Sequence, residues 1–233
     1  MEHSSPSTSS PQSTPGIESI YEDKLPSYFA NTRYDIVGLL KTGPRSAVLE
    51  LGCGAGGSGR AVLAAGKAGR YVGIELSMSA AAIAAQALSE VLVGNVEALD
   101  LGKFAGQFDA LIVSEVLEHL TDPWTTLEKL VRCLRAGGEV YASSPNIGHW
   151  HVIRNLALGR FDYTETGVMD RTHLRWFTPA TYSAMFEGAG VEVTSVGPVT
   201  PLRLKARLIN AASGGRLWRL FTTQIMICGR KRA

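Results

Sequence analysis

The chain has 233 residues, a formal net charge of +2 and an apolar fraction of 45%, which fits one α/β domain with a full core. We expect neither a membrane span, because no apolar run approaches roughly 18 residues, nor a secretory signal, because the start is polar. The three cysteines, Cys53, Cys133 and Cys228, are scattered without metal-ligand spacing, so we predict reduced thiols and a cytoplasmic location.

The N-terminal part of the chain divides into two stretches. Residues 1–16 are mostly Ser, Thr and Pro, which cannot bury a core, so we predict that they are disordered. Residues 17–45 predict one or two helices that cap the following glycine-rich loop. Aromatic residues recur there at near-helical spacing: Tyr21, Tyr28, Phe29 and Tyr34. These rings either pack in the core or form a lid over a ligand.

Strands and helices then alternate, which predicts a parallel sheet with helices on both faces. The expected strands are 47–51, 71–75, 91–93, 108–113, 139–143, 191–196 and 223–228. The expected helices are 57–65, 79–88, 124–134 and 178–189. Their predicted caps are Ser77 or Ser79, Asp122 and Thr178, and Gly137-Gly138 is expected to close the third helix. Ligands of such a sheet bind beyond the carboxyl ends of its strands.

The stretch 47–59, A-V-L-E-L-G-C-G-A-G-G-S-G, reads as a buried strand that breaks into a glycine-rich loop and opens a helix. Residues 52–57 satisfy G-x-G-x-x-G, and Glu75 follows about 20 residues later, which fits a dinucleotide. Glu50 favours another ligand, because a carboxylate repels a pyrophosphate and suits a cation. S-adenosylmethionine has an ammonium, a sulfonium and no phosphate, so we predict this cofactor. An NAD(P)-dependent oxidoreductase remains the alternative.

Several motifs resemble those of class I S-adenosylmethionine-dependent methyltransferases. V-L-E-L-G-C-G-A-G-G-S-G resembles their first motif, and Y-V-G-I-E-L-S resembles the second. F-D-A-L-I-V-S-E-V-L-E-H-L-T-D-P resembles the fourth-strand motif of the ubiquinone-biosynthesis O-methyltransferase-like branch. The resemblance implies a Rossmann-like three-layer α/β/α sandwich, whose mostly parallel seven-stranded sheet has an antiparallel last strand. It also implies methyl transfer to O, N or C.

The cofactor site follows from these motifs. Glu50 is expected near the methionine ammonium, Glu75 at the ribose diol, and Asn95 or Glu97 at the adenine. The full predicted set is Glu50, Gly52, Cys53, Gly54, Glu75, Leu76, Asn95, Val96, Ser114 and Glu115.

The acceptor side needs a group that aligns the nucleophile and removes its proton if it is a hydroxyl. Four histidines lie at or beyond the ends of the fourth and fifth strands, and we select His119, His149 and His173 as catalytic candidates, with His151 beside them. O-methylation of a small molecule or a glycan is the expected reaction, the glycan resting on the resemblance of D-R-T-H-L-R-W-F-T-P to bacterial members associated with glycan modification. N-methylation and a non-catalytic cofactor-binding module are the rivals.

The stretch Glu115-Val-Leu-Glu118-His119 offers a second chemistry. On a helical turn, residues i, i+3 and i+4 share one face, which would let them bind a divalent metal such as Mg²⁺ with one further histidine. The pattern resembles that of metal-dependent members of the superfamily, including small-RNA 2′-O-methyltransferases. Without metal, Glu115 would contact the methionine moiety or the acceptor, and His119 would cap the helix or act as the base.

Residues 144–177 form an expected acceptor-side segment, because long irregular connections in a compact domain are usually functional. Its arginines either hold an anionic acceptor or pair with local acids; they are Arg154, Arg160, Arg171 and Arg175, and the acids are Asp162, Glu165 and Asp170. An ion pair between Asp170 and Arg171 is one such local possibility.

The C-terminal part is basic. No acid follows Glu192, whereas eight basic residues do, and the rest of the chain holds 15 basic and 21 acidic residues. Residues 201–221 predict a partly helical basic insertion. It lacks the aromatic interleaving of a nucleic-acid platform, so we expect no nucleic-acid partner. A solvated face, peripheral membrane contact, a homodimer interface and a substrate lid remain open, and the chain is expected to be a monomer or a homodimer. The apolar residues that suggest membrane contact are Leu204, Leu208, Leu217, Trp218 and Phe221.

Overall fold

The structure, a computed structural model, describes residues 31–233. The predictions for residues 1–16 and for Tyr21, Tyr28 and Phe29 lie outside the described residues. The strands are β1 (Ala47–Leu51), β2 (Arg70–Glu75), β3 (Glu90–Val93), β4 (Phe108–Ser114), β5 (Leu134–Pro145), β6 (Val191–Pro198) and β7 (Gln224–Lys231). The α-helices are α1 (Tyr34–Leu39), α2 (Gly57–Ala64), α3 (Met78–Ala84), α4 (Pro123–Cys133), α5 (Trp150–Ala157), α6 (Pro179–Gly188), α7 (Leu204–Ala212) and α8 (Trp218–Phe221). Short 3₁₀ turns cover Gly102–Phe104 and Leu117–His119.

The seven strands form one sheet in the order β3-β2-β1-β4-β5-β7-β6. Strands β1 to β5 pair in parallel, and β7 runs antiparallel to both β5 and β6. The predicted mostly parallel, seven-stranded sheet with an antiparallel last strand is therefore confirmed. The chain order reverses between β1 and β4, and a crevice at such a switch point is where open α/β sheets bind ligands.

The sheet is covered on both faces. Leu49 and Leu111 belong to one buried apolar cluster, and Val48 and Ala110 belong to another. Successive side chains of a strand point to opposite faces, so these neighbours separate the two cores. Ile36 of α1 joins the second cluster. The predicted three-layer α/β/α sandwich follows from this double burial.

Most predicted helix starts match the structure. The Ser77 hydroxyl accepts a hydrogen bond from the Ala80 N–H, Asp122 accepts one from Thr125, and Thr178 forms a capping box ahead of Pro179.

Some elements differ from the prediction. Helix α3 ends at Ala84 rather than at residue 88. Helix α4 ends at Cys133, and β5 begins at once at Leu134, so Gly137-Gly138 lies inside the strand instead of closing the helix. Helix α5 was not predicted within the irregular segment 144–177. Between residues 31 and 233, no helix combines the length and apolarity that crossing a membrane requires.

Candidate active site

A cavity of about 480 Å³ opens beyond the carboxyl ends of β1, β2 and β4. Every residue of the predicted cofactor set lines it: Glu50, Gly52, Cys53, Gly54, Glu75, Leu76, Asn95, Val96, Ser114 and Glu115. Of the predicted histidines, His119 lines the cavity as well. These residues come from the ends of successive strands, which parallel pairing brings to one edge of the sheet.

The glycine-rich loop requires glycine at two positions, because each has a positive φ and too little space for a Cβ atom. Gly52 has φ 72°, and a Cβ there would lie 2.5 Å from Cγ2 of Val116. Gly56, the residue before α2, has φ 78°, and a Cβ there would lie 3.0 Å from the Ala84 Cα atom. Side chains at these positions would combine a left-handed backbone with a clash. The loop backbone therefore forms the cavity wall itself, without intervening side chains.

Glu75 ties two loops together at the end of β2. Its Oε2 accepts a hydrogen bond of 2.8 Å from the Gly54 N–H, and its Oε1 accepts one of 2.9 Å from the Ser77 N–H. A carboxylate oxygen can accept more than one hydrogen bond, so a ligand in the cavity that Glu75 lines could also donate to it.

Glu50 is a buried carboxyl in the cavity wall. The Tyr71 hydroxyl donates a 2.7 Å hydrogen bond to its Oε2. Burial raises the pKa of Glu50 to about 7, although the hydroxyls of Tyr71 and Ser58 oppose that rise. A cation placed beside Glu50 would favour its charged form.

Arg33 is a cavity residue that the sequence prediction missed. Its Nη1 donates a 2.7 Å hydrogen bond to the Ser143 hydroxyl and also contacts the Ser114 hydroxyl, while Nη2 pairs with Asp35 at 2.7 Å. Burial lowers the pKa of Arg33, but the hydrogen bond and charge of Asp35 outweigh it and the pKa is raised. These serines lie 81 and 110 residues away in sequence, so no local pattern could reveal the contact.

Glu115 does not lie on a helical turn, contrary to the prediction. It has φ 54°, the one positive value at a non-glycine residue within residues 31–233, and the 3₁₀ turn begins only at Leu117. Its carboxylate accepts hydrogen bonds from Ser143 at 2.6 Å and from Gln224 at 3.0 Å. Glu115 is therefore not part of the group of ligand atoms that Glu118 and His119 form. A left-handed non-glycine residue is uncommon and is frequently found at functional sites.

Glu118, His119 and His173 instead form the compact group. One ligand atom of each lies within 4.8 Å of the others, and the two imidazole centroids are 4.7 Å apart. Nδ1 of His119 lies 3.1 Å from the Thr172 carbonyl, and Nδ1 of His173 lies 3.1 Å from the Val168 carbonyl. Because carbonyls only accept, each Nδ1 carries a proton in this arrangement, and in a neutral imidazole the lone pair would then be on Nε2.

The carboxyl of Glu118 is fully buried in this group. Its Oε2 accepts a 3.3 Å hydrogen bond from Ser144, whereas Oε1 has no hydrogen-bond partner among the described residues. Burial, followed by the charge of Glu115, raises the pKa of Glu118 well above its usual range. Glu118 Oε1 is thus buried without a hydrogen-bond partner between residues 31 and 233, and the carboxyl lies close to the two imidazoles. Either a proton on this carboxyl or a cation bound beside it would satisfy the oxygen.

The remaining predicted residues lie elsewhere. His149 is the residue before α5, where its Nδ1 accepts from the His151 N–H at 3.4 Å, and it is not among the residues that line the cavity. Burial, then His151, lowers its pKa. Two of the segment's four arginines pair with local acids, Arg160 with Asp162 and Arg171 with Glu165. Arg175 instead donates to the carbonyls of Leu174 and Thr121.

Comparisons with known proteins agree with this geometry. A family model described as a methyltransferase domain matches residues 49–140. The chain is 31% identical over 133 residues to a ubiquinone biosynthesis O-methyltransferase of Aromatoleum aromaticum, a match that covers 51% of this chain and 56% of that relative. It is 27% identical over 179 residues to a trans-aconitate 2-methyltransferase of Deinococcus radiodurans, covering 73% and 68%. A solved SAM-dependent methyltransferase from Archaeoglobus fulgidus shares the fold with a TM-score of 0.62 at 16% identity, covering 93% of this chain and 100% of that one.

Proposed function

We propose that the chain is a class I S-adenosylmethionine-dependent methyltransferase that transfers a methyl group from S-adenosylmethionine to a hydroxyl oxygen of a small molecule. The match to the Aromatoleum aromaticum relative spans little more than half of that relative's length, so the acceptor is argued from the site.

The observation that supports the proposal most strongly is that an acid, Glu50, and a base, Arg33, line the same cavity. The methionine part of the cofactor is a zwitterion, with one ammonium and one carboxylate. Glu50 would receive the ammonium, and Arg33 would receive the carboxylate in place of its present hydroxyl contacts. The charge of Arg33 would attract a pyrophosphate, but the carboxylates of Glu50 and Glu75 would together repel it.

The rest of the cavity fits the nucleoside. Glu75 has acceptor capacity for ribose hydroxyls, and Asn95 and Val96 follow β3, where an adenine would lie. Glycine at position 52 lets the backbone take a positive φ against Val116, where a side chain would clash. S-adenosylmethionine supplies a methyl group on a sulfonium, which is already a good leaving group.

On the acceptor side, His119 is the base that we favour in the absence of metal. It lines the cavity, its ring is held by the Thr172 carbonyl, and its Nε2 lone pair would accept the proton of a hydroxyl. His173 packs against this ring and supports its orientation.

The same group would also fit a divalent ion. Glu118, His119 and His173 offer one carboxylate and two imidazoles, a set that suits a transition metal better than Mg²⁺, which prefers oxygen ligands. Such an ion supplies Lewis acidity, which lowers the pKa of a bound hydroxyl. His119 would then be a ligand rather than the base, so metal dependence distinguishes the two roles.

Methyl transfer to a panel of acceptors tests the proposed reaction. Isotopically labelled S-adenosylmethionine would be offered with phenols, matched anilines and sugars, the sugars testing the glycan acceptor predicted from the sequence. We expect label on hydroxyl oxygen, and His119→Ala should lower the rate by about 10²-fold or more if it is the base. Label on amines alone would overturn O-methylation.

A further inference from the structure

We propose that the edge of the molecule beside the cavity docks on an anionic lipid surface through two exposed helices, α5 and α7. The exposure, charge and position of these helices support this surface independently of the chemistry in the cavity. Entry of an amphiphilic acceptor from that surface is the one step that rests on the proposed function.

Helix α7 contacts the short helix α8 but leaves its apolar side chains exposed. None of its nine residues is buried, and Leu204 and Leu208, one turn apart, are 69% and 62% exposed. A helix this short is marginal in water, and most helices in proteins are stabilised by an apolar face that packs. We therefore expect the exposed apolar side chains of α7 to contact a surface outside residues 31–233.

Helix α5 presents a similar face. Trp150, Ile153 and Leu156 follow one another at a spacing of three residues, and each is close to half exposed. Val152 is the buried residue of this helix. A tryptophan beside aliphatic side chains is typical of helices that lie in the membrane interface.

Both helices belong to the cavity's edge of the sheet. Val199 and Gln224 line the cavity, and they bracket the residues that contain α7. The Asn146 side chain, four residues before α5, donates hydrogen bonds of 2.7 Å to the Arg219 carbonyl and 2.8 Å to the Thr222 carbonyl. The segment that leads into α5 is thereby linked to α8, the short helix that contacts α7.

The charge of this edge selects an anionic occupant. Arg203, Lys205 and Arg207 are exposed around Leu204 and Leu208, and no acid follows Glu192 in the chain. Basic residues beside apolar ones are the pattern that binds anionic bilayers. A second copy of the chain that docked here would place two positively charged surfaces against each other. A nucleic acid would contact the basic residues but would not bury the leucines.

Vesicle co-sedimentation tests the surface directly. We expect the full chain to bind vesicles of phosphatidylcholine with phosphatidylglycerol, to bind phosphatidylcholine alone weakly, and to be released by salt. The double variant Leu204→Glu with Leu208→Glu should bind at least about tenfold more weakly. Ile83→Glu is the matched control, because Ile83 is a 48% exposed residue of α3 outside the cavity lining, and it should bind like the wild type.

Two results would overturn the proposal: failure of the wild type to bind anionic vesicles, or an equal loss in Ile83→Glu. Light scattering measures the oligomeric state and so tests the alternative that a second copy of the chain covers this surface. If the double variant converts a dimer to a monomer and leaves vesicle binding unchanged, the surface is an interface between copies. Circular dichroism of each variant checks folding, and methyl transfer to a water-soluble acceptor, measured separately, keeps failure of the docking surface distinct from failure of the enzyme activity.

Discussion

The Tyr71 hydroxyl donates a 2.7 Å hydrogen bond to the carboxyl of Glu50, which is buried at the end of β1. This contact gives one oxygen of the carboxyl a hydrogen-bond donor. Burial raises the pKa of Glu50 to about 7. Near neutral pH the group is therefore poised between its neutral and charged forms. A cation that entered the cavity would stabilise the charged form.

Glu50→Gln should stabilise the free protein at alkaline pH. The folded pKa of Glu50, about 7, lies above the ordinary value of 4.5, so its favourable contribution is present below that value and lost as pH rises through 7. Glutamine removes the buried charge but still accepts from Tyr71. We expect urea unfolding at pH 8.5 to show the variant more stable by on the order of 3 kcal/mol, with little difference near pH 4. The exposed Glu128→Gln variant is the control, and a pH-independent difference for Glu50→Gln would contradict the account.

Cofactor binding should depend on pH through the same carboxyl. The wild type should bind S-adenosylhomocysteine more tightly as pH rises from 6 to 8, by up to about tenfold, because the ammonium needs the ionised carboxyl. Glu50→Gln should bind more weakly and lose this dependence. Calorimetry at each pH measures both effects. An unchanged pH dependence in the variant would assign it to another group.

Arg33→Met should weaken cofactor binding by about 10- to 100-fold, because a charge-assisted hydrogen-bond donor to the carboxylate is lost. Arg33→Lys should recover only part of it, since lysine lacks the planar fork. Arg60→Met is a matched control, because Arg60 is an exposed arginine whose Nη2 lies 3.4 Å from the Ala55 carbonyl of the same loop. Equal losses in the variants of Arg33 and Arg60 would contradict the proposed role.

The compact group predicts an ion site that can be measured without turnover. If the site binds metal, calorimetry with Mn²⁺ or Zn²⁺ should give one ion per chain, and His173→Ala should weaken it at least about tenfold. His149→Ala should leave it unchanged, because His149 lies outside the group. Methyl transfer that persists in EDTA, without ion binding, would refute the metal site and leave His119 as the base.

The sequence predicted the fold where local chemistry decides it. The strand at 47–51 matches β1, because a short apolar run ends there at Gly52, which the turn requires. Ser77 and Thr178 were recognisable caps, since their hydroxyls serve N–H groups three residues away. Many of the residues that line the cavity could also be predicted, because parallel strands align their carboxyl ends.

The parts that the sequence did not predict depend on contacts across the fold. Arg33 reaches Ser143, 110 residues away. The left-handed backbone of Glu115 breaks the helical turn that its spacing suggested, and the buried partner of His119 is His173, brought in by the 144–177 segment. Spacing along the chain carries none of these relationships.

Calorimetry of the wild type with S-adenosylhomocysteine and with NAD(P) tests the central claim most directly. We expect S-adenosylhomocysteine to bind with one molecule per chain and NAD(P) not to bind. Binding of NAD(P) without binding of S-adenosylhomocysteine would contradict that claim.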